Sequence, residues 1–217
     1  MTPLDPDRIL ALSYVPARRR PAVEALWRLD LALGQALAGG REPLISQIKL
    51  AWWREALEKL DSAPAPSEPV LQAVAAHVLP AGVSGTELAA MEEGWAVLLS
   101  PERLSAADLQ TYAARRGGLL FRHSAALLGG GEPAAGAGEA WALIDLARHS
   151  AEEADVEAAV AAARGRARAR RWPARLRPLG MLAALARRDA EAGRPRWEAQ
   201  GAPGRMLRML RHRLTGF

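Results

Sequence analysis

Alanine- and leucine-rich segments, each bounded by helix start and stop signals, are the feature that most constrains the fold. Isoleucine, valine and threonine are scarce, and apolar and polar residues rarely alternate, so strands are not expected. Ser84 with Glu87, and Ser105 with Asp108, have the spacing of a capping box at a helix N-terminus. The sequence therefore predicts an all-α fold, a single domain over residues 1–217 with about eight to ten helices.

Proline, serine and glycine between the apolar segments set the bounds of the predicted helices. These helices cover residues 21–37, 43–60, 70–79, 85–99, 106–128, 139–148, 155–171, 176–190 and 204–214. The helix over residues 43–60 is expected to turn one apolar side toward the protein interior. That predicted side consists of Leu44, Ile48, Trp52 and Leu57, with Ala56 beside them.

Charge is distributed unevenly along the chain. Residues 164–217 contain 15 arginines, no lysine and three acidic residues, a net charge of +12, whereas residues 1–163 carry −7. A basic segment of this kind binds nucleic acid, anionic lipid or the protein's own acidic surface. In a helix, Arg164, Arg168 and Arg171 would share one face, without the aromatic platform of a nucleic-acid groove. Nucleic acid is therefore not an expected partner, and a solvated or intramolecular charged face is favoured.

Several classes of protein are excluded by composition. The chain has no cysteine, which excludes disulfides, thiolate zinc sites, iron–sulfur clusters and thiol nucleophiles. No apolar run has the length of a membrane-spanning helix, and the first residues lack the pattern of a secretory signal. We therefore expect a cytoplasmic protein that contacts a membrane, if at all, only at its periphery.

The N-terminal third contains a series of short motifs in a recognisable order. They are Ser13-Tyr14-Val15-Pro16, Arg18-Arg19-Arg20-Pro21, Ala25-Leu26-Trp27-Arg28-Leu29-Asp30, Arg41-Glu42-Pro43 and Ala51-Trp52-Trp53-Arg54-Glu55-Ala56-Leu57. This order resembles the squalene/phytoene synthase family, the head-to-head prenyl synthases with the isoprenoid-synthase all-α fold. Later segments are similar too: residues 112–118 resemble the family's tyrosine-to-glycine helix, and residues 140–149 lie where its second Asp-rich helix belongs.

The resemblance implies that a prenyl diphosphate is ionised with Mg²⁺ held by two Asp-rich helices, and that an apolar cavity shields the cation. The family's first motif, Arg-x-Asp-Asp-x-x-Asp, corresponds to residues 28–34, where only Asp30 remains. In the second motif, Leu-Arg-Asp-x-x-x-Asp, His149 takes the first Asp position, and an imidazole is a poor ligand for Mg²⁺. Both motifs are therefore degenerate.

Two sets of candidate site residues follow from the resemblance. The candidates for binding substrate or diphosphate are Arg18, Arg20, Arg28, Tyr112 and Arg148. The candidate metal ligands, for Mg²⁺ in a catalytic protein, are Asp30, Asp145, His149, Glu152 and Glu153. The alternatives are that Asp30 pairs with Arg28 or with an arginine of another helix, because a lone buried carboxylate is costly, and that the later acids form a solvated face.

The degenerate motifs predict a non-catalytic or weakly catalytic family member. Such a protein would bind a prenyl or other lipid-like ligand, or act as an assembly or scaffold factor with a protein partner at a membrane surface. The alternative is an active Mg²⁺-dependent prenyltransferase that condenses prenyl diphosphates. Trp27, Trp52 and Trp53 either line a prenyl-sized cavity or belong to the core, and aromatic residues at helical spacing favour the core.

Overall fold

Helices make up the regular structure, and no strand occurs in residues 3–38, 43–100, 102–130, 134–194 and 196–217, which the computed structural model describes. The all-α prediction is confirmed. The helices are α1 (Pro6–Ser13), α2 (Arg20–Ala38), α3 (Pro43–Lys59), α4 (Pro69–His77), α5 (Gly85–Ala89), α6 (Glu92–Ala96), α7 (Ala106–Tyr112), α8 (Leu119–Leu127), α9 (Ala135–His149), α10 (Glu153–Arg166), α11 (Arg177–Ala192) and α12 (Pro203–Thr215).

Short turns of other helix types connect these elements. Three 3₁₀ turns cover Leu79–Ala81, Val97–Leu99 and Ala174–Leu176. One π-helical turn, Ala113–Gly118, joins α7 to α8 and makes the predicted helix over residues 106–128 nearly continuous. Within the described ranges, no helix is long and apolar enough to cross a membrane.

Both predicted capping boxes are present. The Ser84 hydroxyl accepts a hydrogen bond from the Glu87 amide while the Glu87 carboxylate accepts one from the Ser84 amide, and Ser105 and Asp108 form the same reciprocal pair. The helix predicted to follow Ser84, however, is broken into α5, α6 and a 3₁₀ turn. A cap therefore fixes where a helix begins but not how far it extends.

The hydrophobic core runs from Leu4 near one end of the chain to Met209 in α12. Helix α9 lies at its centre and packs against the π-turn, α8, α10 and α11. Helix α2 packs against α3 and α4 and also contacts α8. This arrangement brings α2 and α9, which carry the segments compared above with the two Asp-rich motifs, to the same region of the molecule.

The predicted inward side of α3 is wrong in its first half. Leu44, Ile48 and Trp52 are exposed, with 64%, 61% and 45% of their surface accessible, whereas Leu57 is buried as predicted. The buried face instead includes Leu50, three residues before Trp53, because α2, α5 and α6 pack against that side. Apolar residues occupy both sides of this helix, so periodicity alone did not identify the buried one.

The second motif does not continue as one helix. Helix α9 ends at His149, the backbone of Ser150 is extended, and α10 begins at Glu153 after the N-cap Glu152. The acidic residues therefore belong to two helices, and Glu152 and Glu153 do not share a helical face with Asp145.

The arginine run is also shorter as a helix than predicted. Helix α10 ends at Arg166, so Arg168 and Arg171 lie in the following irregular segment and share no helical face with Arg164. Arg164 itself donates to the carbonyl oxygen of Ala190 in α11 over 2.7 Å. Part of this basic segment therefore makes intramolecular contacts.

Candidate functional site

A cavity of about 490 Å³ lies between the N-terminal segment, α2, α6, α7 and α9. This volume is within the range of small-molecule sites. Exposed Gln35 and His149 lie at its rim. Its apolar wall is formed by Leu4, Leu31, Trp95, Leu98 and Leu146.

Trp95 lies close to Gly34, at a position where the family motif has an aspartate. A Cβ atom added to Gly34 would lie 2.8 Å from the Trp95 ring, so the glycine allows the indole to pack directly on α2. Gly34 is the third Asp position of the first motif. An aromatic wall therefore lies where the family motif would place a metal ligand, and an aspartate at position 34 would collide with it.

The polar end of the cavity is organised by Arg116, which lies on the π-turn and is buried. Its Nε donates to Asp30 Oδ1 over 2.9 Å and its Nη2 to Asp30 Oδ2 over 3.2 Å. The same Nη2 lies 2.7 Å from Asp145 Oδ2. One guanidinium therefore bridges the two carboxylates that α2 and α9 bring to the cavity.

A second buried guanidinium reinforces the first. Arg8 Nη1 lies 3.0 Å from Asp30 Oδ2, and Arg8 Nε lies 3.0 Å from Asp5 Oδ2. The guanidinium carbon of Arg8 lies 4.7 Å from the centre of the Trp141 ring. Arg8 therefore links the N-terminal segment to α2 and holds its charge against an aromatic face.

Aromatic groups surround Arg116 as well. Its guanidinium lies 4.1 Å from the centre of the Trp95 ring and 4.9 Å from that of Trp141, and its Nη1 donates to the Tyr112 hydroxyl. A cation enclosed by π faces and carboxylates is satisfied within the protein. The Trp95 indole Nε1, by contrast, is buried without a hydrogen-bond partner among the described atoms.

The electrostatics keep Asp145 and Arg116 ionised. Burial favours the neutral acid, but the guanidiniums of Arg116 and Arg8 lower the pKa of Asp145 below its usual value. Burial opposes the charge of Arg116, yet Asp30, Tyr112 and Asp145 raise its pKa well above its usual value. Burial raises the pKa of the Tyr112 hydroxyl, which therefore stays protonated.

Two glycines position the bridging arginine. The π-turn and α9 approach so closely that a Cβ on Gly117 would lie 2.1 Å from the Gly138 carbonyl oxygen, and a Cβ on Gly138 would lie 2.1 Å from that of Gly117. Only residues without a side chain allow this contact. Because Gly117 directly follows Arg116, the contact sets the depth at which the guanidinium meets Asp145.

The structure brings three of the candidate residues together. Asp30, Asp145 and Tyr112 all contact Arg116. His149 lies at the cavity rim, where its Nδ1 is 2.8 Å from the Asp145 carbonyl oxygen. Asp30 therefore pairs with arginines from other elements, as one alternative predicted, and not with Arg28, which pairs with Glu24.

The other arginine candidates lie elsewhere in the described structure. Arg18 is exposed in the turn before α2, and Arg20 donates to the carbonyl oxygens of Ser13 and Val15, each over 3.1 Å. Arg28 lies 2.6 Å from Glu24 and lines a separate groove between α2, α3 and α4. None of these three lines the cavity as it is bounded by described residues.

Arg148 has a structural role. It lies on α9, where its Nη2 is 2.7 Å from Asp189 Oδ2 and its Nη1 donates to the Glu198 carbonyl oxygen over 3.1 Å. Arg205 of α12 binds the same Asp189 oxygen over 2.7 Å and also pairs with Asp7 of α1. This second buried network joins four helices rather than presenting Arg148 to the cavity.

The residues present do not fit a magnesium cluster. Mg²⁺ requires several oxygen ligands in near-octahedral geometry, but Asp30 and Asp145 already bind a guanidinium. Glu152 and Glu153 are exposed, and Glu153 lies 3.8 Å from Arg194. Among the described residues, no group of three or more histidine or acidic residues is placed to hold a metal ion.

Sequence reasoning missed the three residues that define the cavity: Arg8, Trp95 and Arg116. It considered Trp27 and Trp53, which are buried elsewhere, Trp27 donating to Ser124 over 3.0 Å. A partial signal for Arg116 was present, because two adjacent arginines, which point in different directions on a helix, precede Gly117 within an apolar segment. Which carboxylates it would meet depends on the tertiary fold.

Comparison with known proteins gives one finding about family. The sequence matches the family model described as squalene/phytoene synthase over residues 2–167. Comparison with curated proteins and with solved structures gave no match. The matched range includes α1 to α10, and with them every residue that lines the cavity except Gln200.

Proposed function

Since this chain belongs to the squalene/phytoene synthase family, we propose that it is a non-catalytic member that uses its cavity to hold a neutral, isoprenoid-like chain. The observation that carries the proposal is the position of Arg116, whose guanidinium bridges Asp30 and Asp145. A fixed cation thus takes the place where an active synthase needs carboxylates free to bind metal.

Charge argues against a diphosphate in this cavity. Three carboxylates, those of Asp5, Asp30 and Asp145, surround two guanidiniums, those of Arg8 and Arg116. The guanidiniums are already paired, so a diphosphate would bring several uncompensated negative charges to the polar end. Without a divalent ion to offset them, desolvating that anion is strongly unfavourable.

The apolar wall supports an apolar occupant. Leu31, Leu98 and Leu146 face the same space as the Trp95 indole. A branched hydrocarbon chain gains burial along such a wall without any ionic contact.

A cavity-filling substitution tests this proposal. Farnesol and geranylgeraniol are titrated into the wild-type protein and into Leu31→Trp by calorimetry, and binding is expected to be lost in the variant. The control is Leu44→Trp, the same change on the exposed part of α3 away from the cavity. The control is expected to bind like the wild type, and circular dichroism checks that both variants fold.

Two results would contradict the proposal. One is the absence of binding by either alcohol to the wild type. The other is equal binding by the wild type and Leu31→Trp, which would place the ligand outside the cavity. Mg²⁺-dependent binding of a prenyl diphosphate with release of pyrophosphate would instead favour the active prenyltransferase.

A further inference from the structure

Helix α12 has a buried face and an unusual exposed face. Met209 and His212 are buried against the protein, whereas Leu207 and Leu214 are 70% and 78% exposed and Leu210 lies between them at 36%. The three leucines occur at i, i+3 and i+7 and so form a stripe on one side of the helix. Phe217, just after the helix, is also 62% exposed.

Cations accompany this stripe. Arg208 and Arg211 are exposed on the same helix, and residues 203–217 include no aspartate or glutamate. Phe217 lines a small hollow together with Arg168 and Arg187, and no carboxylate is among the described residues that line it. The outer face of α12, defined here as Leu207, Leu210, Leu214, Phe217, Arg208 and Arg211, is therefore both apolar and positively charged.

The buried face holds α12 firmly on the protein. Arg205 pairs with Asp7 and Asp189, over 2.8 Å and 2.7 Å, and the His212 ring packs against Gly180 so closely that a Cβ there would lie 2.2 Å from Nε2. The exposed leucines therefore cannot turn inward without breaking buried ion pairs. They therefore remain on the surface of the described part of the chain.

We infer that the outer face of α12 docks on an anionic lipid surface. A helix that carries leucine and an aromatic residue on one side, with arginines beside them, lies in the membrane interface with its apolar side chains inserted. The arginines extend toward lipid phosphates while their alkyl stems stay among apolar groups. Charge complementarity selects the occupant, because an uncharged apolar partner leaves Arg208 and Arg211 without counter-charges.

Helix α3 provides an internal comparison. Its exposed Leu44, Ile48 and Trp52 are equally apolar, but α3 also carries Glu55, paired with Lys59 at 3.9 Å. Over residues 43–59, α3 has three basic and two acidic side chains, a net charge of +1, whereas α12 has four arginines and no acidic residue. An anionic membrane should therefore favour α12 over α3.

Vesicle flotation tests the inference on the full chain. The protein is mixed with phosphatidylcholine vesicles, with or without phosphatidylglycerol, and the floated fraction is measured. The wild type is expected to float only with phosphatidylglycerol and less at high salt. The doubly substituted variants Leu207→Ser/Leu214→Ser and Arg208→Gln/Arg211→Gln are each expected to lose roughly tenfold or more in apparent affinity.

The matched control is the doubly substituted variant Leu44→Ser/Ile48→Ser on α3, which is expected to float like the wild type. Every changed side chain is exposed, so all variants are expected to fold, and thermal melts check this. Three results would overturn the inference: no flotation with phosphatidylglycerol, equal flotation with both vesicle types, or loss of flotation in the α3 variant alone. Because neither helix side changed here lines the cavity described above, these results are independent of farnesol binding.

Discussion

At the scale of single residues, the proposed function depends on which cation neutralises Asp30 and Asp145. A guanidinium carries one charge, is tethered to the chain and remains protonated at any accessible pH. Mg²⁺ carries two charges and binds protein and phosphate oxygens together. Arg116 therefore neutralises Asp30 and Asp145 permanently, whereas a metal would neutralise them and still bind substrate.

Replacing Arg116 with methionine should destabilise the protein strongly, because Asp30 and Asp145 would lose their main counter-charge inside the fold. We expect a loss of about 3–5 kcal/mol in the free energy of unfolding, measured by urea denaturation. Adding Asp30→Asn should recover part of this loss.

The neighbouring arginine supplies the control. Arg115 is about half exposed and pairs with the equally exposed Glu93 at 2.9 Å, so Arg115→Met should cost less than about 1 kcal/mol. Similar losses for the two variants would show that the buried network does not depend on Arg116.

The buried His212 should make the free energy of unfolding depend on pH. Burial, aided by the nearby cations Arg177 and Arg187, lowers its pKa from 6.5 to about 4. The unfolded chain therefore takes up a proton at higher pH than the folded protein, so stability is lost as the pH falls from about 6.5 to about 4. His212→Leu should show a shallower decline over this interval in the free energy of unfolding, measured at several pH values. An unchanged slope would mean that His212 is not responsible.

At the scale of helices and turns, the contact between the π-turn and α9 determines the site. It sets Arg116 against Asp145 by placing Gly117 on Gly138 with no room for a side chain. π-Helical turns are rare in proteins, and those that occur are often found at functional sites. This one changes the direction in which residues 113–118 face.

Gly117→Ala should therefore be destabilising by at least about 1–3 kcal/mol, the usual cost of overpacking, since its Cβ would collide with backbone atoms. Gly136→Ala on α9 is the control, because a Cβ there has no neighbour within 4 Å. That change should be neutral or stabilising by up to about 1 kcal/mol. Thermal unfolding of both variants measures the difference, and equal effects would contradict the close helix contact.

The helices themselves were largely predictable from sequence, whereas their faces were not. The Ser84 and Ser105 capping boxes are local, so spacing alone identified them. The buried side of α3 depends on which helices pack against it, and apolar residues on both sides left the choice to tertiary contacts. For the same reason, sequence identified Asp30 and Asp145 but not the arginine between them.

At the scale of the whole molecule, the basic segment divides into two parts. Some of its arginines bind acidic residues or carbonyl oxygens elsewhere in the fold, as Arg166 does with Glu139 at 2.9 Å and Arg205 with Asp7. Others, Arg208 and Arg211 among them, remain exposed beside the leucine stripe of α12. Part of the basic segment therefore pairs within the fold, as predicted, and the exposed arginines are available to an anionic surface.

The proposed function requires that the cavity does not carry out metal-dependent diphosphate chemistry. Its most direct test is calorimetric titration of the wild-type protein with farnesyl diphosphate, with and without Mg²⁺, followed by a pyrophosphate-release assay on the same samples. We predict no gain in affinity from Mg²⁺ and no release of pyrophosphate. Mg²⁺-dependent binding with release would contradict the account, because Asp30 and Asp145 would then have to leave Arg116 to bind metal.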